Sequence, residues 1–403
     1  MKAPRKLIRQ LHLWLGLVSG LLVFVIAITG CIYAFQEEIQ TATQPYRFVK
    51  AGNLPFLPPS QLIAAANEKL PDKKVHAVMY QGASDAAKVI YYSFEDNYYY
   101  FVYVNPYSGK VLKVKNEFAD FFRIVLDGHF YLWLPAHIGQ PVVASATLVF
   151  FVMLVSGIIL WWPRNRKGLK KKFSFRWKAG WKRKNYDLHS VAGFYICWLA
   201  LVFVLTGLVW GFTWFRDGLF IAASGGESYV DYYTPNSDTT ALRDEQEPGI
   251  DRVWAKMVKE YPAADWIEVH PPENQHGSIA ANANPDGSTY WQADYRYFDQ
   301  YTLQELEVDH IWNRFKDSTK AELLMRMNYD IHVGSILGLP GKILAFLVSL
   351  TIASLPVTGI VMWIGRSKKE AQKTNYQSTK STSISGNFVG GPEVKYAKGV
   401  RNN

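Results

Sequence analysis

Leu11-His12-Leu13-Trp14-Leu15-Gly16 and Leu188-His189-Ser190-Val191-Ala192-Gly193 open two apolar segments that run on to Thr29-Gly30 and Thr206-Gly207. In both, Gly stands 4 residues after the His and Thr stands 17 after it. A second pair of segments matches in the same way: Gly139, Ser156-Gly157 and Trp161 against Gly341, Thr358-Gly359 and Trp363. Each of these has a His upstream, His129 and His332, in an Asp-x-His triplet with Asp127 and Asp330. The chain therefore reads as written twice, with four apolar segments that each bring one histidine.

Residues 13–35, 141–162, 191–212 and 343–364 carry no charge. At ~1.5 Å per helical residue, roughly 20 apolar residues match the hydrocarbon core of a bilayer. Soluble helices rarely stay apolar all the way round for so long. Four transmembrane helices follow. Lys and Arg set their orientation. Lys2, Arg5, Lys6 and Arg9 precede the first span, and the 25 residues 163–187 hold eleven Lys or Arg against one acid, Asp187. Arg366, Lys368 and Lys369 follow the last span. These three stretches share the cytoplasmic side, so the long segments, about 37–138 and 216–335, face outward. The net charge of +10 is thus a topology signal, and no nucleic-acid partner is expected.

The expected order is an inner tail 1–12, span 13–35, outer domain 36–138, span 139–162, basic inner loop 163–187, span 188–212, outer domain 213–335, span 341–365 and a disordered inner tail 366–403. Within the first outer domain the pattern predicts a helix over 54–70 and strands over 75–80, 89–94, 98–104 and 110–115. In the second it predicts a helix over 252–261, strands over 266–270, 277–282 and 290–294, and a turn and last strand over 297–306. Each domain is read as a small α+β unit with its own core. Gly338-Leu339-Pro340-Gly341 is expected to break the chain between His332 and the last span.

Polar and ionisable side chains at membrane depth are costly and mark function. His12 and His189 begin spans one and three near the inner face; His129 and His332 precede spans two and four near the outer face. Two pairs at two depths suit the axial imidazoles of two six-coordinate haem irons. Gly16, Gly20, Ala192 and Gly193 would let a flat macrocycle lie against the backbone. His137 has no counterpart in the other half and is a rival to His129. His76, His270, His276 and His310 stand at no ligand spacing. The only cysteines, Cys31 and Cys197, lie inside spans and no Cys-x-x-Cys-His occurs, so any haem is held non-covalently. The Ile28-Thr29-Gly30-Cys31 run also resembles a lipoprotein signal, but Thr29-Gly30 recurs as Thr206-Gly207 deep in the chain. No nucleotide-binding glycine fingerprint appears, so electrons would enter from a separate donor.

With its paired Leu-His-x3-Gly and Ser/Thr-Gly-x3-Trp motifs and its Asn105-Pro106-Tyr107-Ser108-Gly109 turn, the chain resembles the PepSY-associated transmembrane helix family from residue 1 to about 366. The resemblance implies an α-helical bacterial inner-membrane protein, four spans in two tandem repeats, with a small α+β PepSY-like periplasmic domain in each. It further implies two b-type haems, on His12 with His189 and on His129 with His332, and an oxidoreductase that frees iron from a ferric siderophore or other ferric chelate in the periplasm. An unidentified cytoplasmic or membrane donor would supply the electrons. The alternatives are a non-redox regulatory or ligand-binding module and, less favoured for want of carboxylates in the spans, a transporter.

Overall fold

The computed structural model describes residues 3–52, 54–163, 172–241 and 247–385. Among them, four helices are long and apolar enough to cross a membrane: Pro4–Tyr33, Ala136–Trp161, Trp181–Gly211 and Ser335–Lys368. The first belongs to α1 (Ala3–Tyr33). Most of the segment read as an inner tail is therefore helical, as its Lys, Arg, Leu and Gln favour. Next come α2 (Gln36–Thr43), α3 (Pro59–Asn67), strands β1 to β4 (Val75–Tyr80, Ala87–Ser93, Tyr98–Val104, Val111–Asn116), α4 (Phe121–Tyr131) and α5 (Ala136–Trp161). The other half holds α6 (Trp181–Asp187), a π-helical turn over Leu188–Ala192, α7 (Gly193–Gly211), α8 (Thr213–Ser224) and α9 (Gly249–Glu260). Strands β5 to β8 (Trp266–His270, Ile279–Asn284, Asp294–Phe298, Glu305–Leu306) and α10 to α12 (Lys320–Arg326, Asn328–Val333, Gly338–Ser385) complete it.

The last helix runs to Ser385, so the disordered tail expected from 366 is helical that far; Ser367-Lys368-Lys369-Glu370-Ala371-Gln372 offers no helix breaker. Residues 386–403, and 164–171 of the basic loop, lie outside the described residues.

The two long polar segments do not build separate domains. Their strands join in one antiparallel sheet of order β4-β3-β2-β1-β5-β6-β7-β8. The seam is the β1–β5 ladder, with Val78 opposite Val269 and Tyr80 opposite Ile267. One face carries Val78, Val89, Val102, Val269 and Ala281 and packs under α3 (Leu62, Ala66) and α9 (Ile250, Val253, Met257) as a single core. Edge-to-edge pairing removes an exposed strand from each half. The Ser60 backbone N–H, on α3, donates to the Asp251 carboxylate of α9 at 2.8 Å and fastens the two covering helices together.

The strands predicted over 75–80, 98–104 and 266–270 recur with the same bounds, three others recur with ends shifted by one or two residues, and 290–294 fails. The strand begins at Asp294 because the Tyr290 and Trp291 N–H groups donate instead to the Asp330 carboxylate. The four spans pack as a bundle, α1 against α12 and α5 against α7. At mid-depth Val23, Ala27, Ala200, Val204, Val348 and Ile352 form an apolar plug.

On the sheet face opposite the core, His76 and His270 lie with ring centroids 5.0 Å apart. His270 is pushed down to about 4, by burial first, against the raising bond to the His76 backbone and the raising charge of Glu273. His76 moves down as well, through burial and then His270, while burial raises neighbouring Glu268. From its ordinary value of 6.5 down to about 4, the unfolded chain takes up a proton at His270 that the folded chain refuses, so folding weakens as pH falls through that window. Melting of the wild type between pH 7 and 4.5 should drop more than melting of His270→Asn; equal drops would assign the acid sensitivity to other groups.

Candidate functional site

Each of the four span-associated histidines lies across a helix–helix contact, over a Ser/Thr-Gly pair of another helix. The His12 ring sits on Gly157, His189 on Gly359, His129 on Gly30 and His332 on Gly207. A Cβ on these glycines would stand 3.5, 3.3, 3.2 and 3.6 Å from the imidazole Cε1. At Gly359 and Gly30 that is tighter than an ordinary contact, and at Gly157 and Gly207 it is van der Waals contact. The neighbouring hydroxyl binds the ring nitrogen: His12 Nδ1 is 2.8 Å from Ser156 Oγ and His332 Nδ1 is 2.8 Å from Thr206 Oγ1. His189 Nδ1 lies 3.0 Å from Thr358 Oγ1 and 3.1 Å from the Leu355 carbonyl. His129 Nδ1 lies 2.8 Å from the Ile26 carbonyl and 3.3 Å from Thr29 Oγ1.

These contacts decide the tautomer. Ser156 and Thr206 already donate their hydroxyl hydrogens to Met153 and Val202 carbonyls of their own helices, at 3.0 and 2.8 Å. Facing the histidine they are acceptors. The carbonyls of Leu355 and Ile26 are acceptors only. Nδ1 therefore carries the proton in all four rings and Nε2 keeps its lone pair. An imidazole oriented by an Nδ1–H bond, with Nε2 free, is the form that ligates a metal.

Local sequence explains the placement. α4 ends in Leu132 and Trp133 with φ near +54° and +57°, and the chain doubles back so tightly that a Cβ on Gly139 would lie 2.2 Å from the Tyr131 carbonyl oxygen. In the other half α11 ends at Gly334 (φ +81°), and a Cβ on Gly341 would lie 2.0 Å from the Gly334 carbonyl oxygen. The break expected at 338–341 thus begins at Gly334, and only glycine fits at the matched positions 139 and 341. Both reversals hang a short helix beside the mouth of the bundle, and each carries one histidine inward.

There His129 and His332 meet with ring centroids 6.1 Å apart and planes at 69°. Two imidazoles on opposite sides of one metal put their centroids roughly 6 Å apart, twice a ~2.0–2.1 Å metal–nitrogen bond plus a ring radius on either side. Around them lies an apolar cavity of about 180 Å³, lined by Val23, Ala27, Phe130, Ala144, Val204 and Trp210. A flat, apolar macrocycle with two axial nitrogens fits this wall chemistry and spacing.

At the other end His12 and His189 have the same Nδ1 wiring. Here Gly16, Gly20 and Gly193 do not face open space: Met153, Pro356 and Leu355 side chains cover them. Their immediate use is close helix packing, with flexible Met153 and Leu355 as the groups that could move. His137 is exposed on the first turn of α5 and does not line the outer cavity. His76 and His270 belong to the sheet, and buried His310 is occupied by the Tyr233 carbonyl and the Trp312 N–H. Cys31 is buried on α1 beside the Phe346 carbonyl. Among the described residues no group of three or more His, Cys, Asp or Glu is placed to hold a metal ion.

The sequence reading missed the partners. Ser156, Thr29, Thr206 and Thr358 stood out only as repeat markers, although a hydroxyl next to glycine within an apolar span is itself a signal of a close polar contact. Replacing Thr206 by Val keeps the shape and leaves His332 Nδ1 without its acceptor hydroxyl. Detergent-solubilised protein should lose about 1–3 kcal/mol of unfolding free energy; no loss on denaturant titration would mean that the hydroxyl does not hold the ring.

Among curated proteins, none matches the chain. The family model described as the PepSY-associated TM region matches residues 9–366, so with its four apolar helices the chain belongs to the PepSY-associated family of membrane proteins.

Proposed function

We propose that this protein carries electrons across the bacterial inner membrane on two non-covalent b haems and reduces a ferric siderophore, or another ferric chelate, on the periplasmic side. The observation that carries the reading is the common wiring of four histidines, each with Nδ1 bound and Nε2 free, in two pairs at opposite ends of the bundle. Along α1 the 17 residues from His12 to Thr29 correspond to ~26 Å. One pair thus serves each leaflet of a ~30 Å hydrocarbon core. The duplicated sequence is read as two tandem repeats, with both PepSY-like segments merged in the sheet on the periplasmic face and both chain ends in the cytoplasm.

His12 with His189 would hold the cytoplasmic-side haem, and His129 with His332 the periplasmic-side one. Haem supplies a one-electron ferric/ferrous couple. The chain's own residues do the rest. The Nδ1–H bonds hold each imidazole in the ligating tautomer and strengthen it as a donor. The apolar plug excludes water from the space between the pairs, and the apolar walls around His129 and His332 keep the outer site dry up to its mouth. A donor on the cytoplasmic side gives one electron, and the ferric chelate accepts it. Hard oxygen ligands hold the ferrous product less firmly, so iron leaves.

Purified protein supplied with haem should bind two haems per chain with a low-spin bis-imidazole absorption spectrum. His189→Ala should remove the signal of one haem and leave the other. A protein that takes up no haem would overturn the proposal in favour of a non-redox regulatory or ligand-binding role.

A further inference from the structure

One pentapeptide pattern occurs at both ends of the bundle: Asn185-Tyr186-Asp187-Leu188-His189 and Asn328-Tyr329-Asp330-Ile331-His332. The two copies are wired alike. Asn185, 4% exposed, donates its side-chain N–H to the Thr358 carbonyl at 3.0 Å. Asn328, 6% exposed, donates to the Thr206 carbonyl at 3.2 Å. These are the threonines whose hydroxyls accept Nδ1–H from His189 and His332. Each histidine and the asparagine four residues before it thus grip the same residue of the facing helix, one at its hydroxyl and one at its carbonyl.

The aspartates finish the arrangement. Both are wholly buried, and both accept backbone N–H groups from beyond their own helix. Asp187 takes the Arg176 N–H at 3.1 Å and an ion pair with Arg183 at 2.8 Å. Asp330 takes the Trp291 N–H at 2.9 Å and the Ser335 hydroxyl at 2.8 Å. The histidines opposite lack this mount. Four residues before His12 is Ile8, and four before His129 is Val125. Asp127, two residues before His129, is partly exposed and pairs only along its own helix with Arg123 at 3.0 Å.

We infer that Asn185 and Asn328 are positioning residues, each fixing one imidazole through the threonine it holds, so that His189 and His332 are the fixed ligands of the two sites and His12 and His129 the adjustable ones. The inference rests on the proposed haem sites for its consequence, because a buried asparagine that only joined two helices would stabilise both ends of the bundle without tuning either. Loss of the asparagine lets the threonine drift, weakens the Nδ1–H bond, and makes that one imidazole a poorer donor to iron.

The test uses full-length protein in detergent as Asn185→Ala and Asn328→Ala. With haem bound, Asn328→Ala should weaken retention of the periplasmic-side haem about tenfold, the scale on which hydrogen-bonding supports of a metal ligand act, and move its reduction potential upward. The other haem should be unchanged, and Asn185→Ala should do the reverse. Equal effects at both haems, or at neither, would overturn the inference. If wild-type protein takes up no haem, the functional reading falls, and ¹⁵N spectra of the histidine rings still decide the mount. A His332 Nδ1–H protected from exchange in the wild type and not in Asn328→Ala supports it; identical spectra refute it.

Discussion

The constraint on which the structure depends is a hydrogen bond from an imidazole Nδ1–H to a serine or threonine hydroxyl, or the carbonyl one turn before it, on a different helix. In hydrocarbon the backbone satisfies itself within each helix, so packing alone leaves neighbouring spans free to rotate. A hydroxyl that has already given its hydrogen to its own backbone has only lone pairs to offer, and a neighbouring helix must bring the donor. Glycine beside that hydroxyl lets the ring approach. The pair of residues therefore specifies both contact and orientation.

The four contacts form a closed pattern. α1 gives His12 to Ser156 on α5 and receives, at Thr29, the His129 that leads into α5. The π-helical turn before α7 gives His189 to Thr358 on α12, and α7 receives at Thr206 the His332 that leads into α12. Each half is locked on itself at both depths. The halves then meet through α1 with α12, α5 with α7, and the shared sheet. Between the halves, His129 and His332 then come together with ring centroids 6.1 Å apart.

Much of this was legible in the sequence. Charge-free stretches marked the spans, and shared offsets joined His12 to His189; His129 and His332 were joined by their Asp-x-His triplets, although they stand 10 and 9 residues before Gly139 and Gly341. Gly139 and Gly341 were matched before any reason for them was visible; the reason, a backbone oxygen within reach of a missing Cβ, exists only in three dimensions. The hydroxyl partners were hidden because Ser156 stands 144 residues from His12. The single sheet was hidden because alternation along a strand fixes which side chains are buried but not which strand lies alongside. His137, the rival of His129, is exposed at the start of α5, while α4 carries His129 to Thr29.

Low-temperature electron paramagnetic resonance of the oxidised, haem-loaded protein, compared with His129→Ala and His137→Ala, tests the paired-histidine site most directly. Two low-spin ferric signals are expected, with His129→Ala converting one of them to high spin and His137→Ala changing neither. A single signal, or conversion by His137→Ala in place of His129→Ala, would contradict the proposal that His129 and His332 hold the periplasmic-side haem.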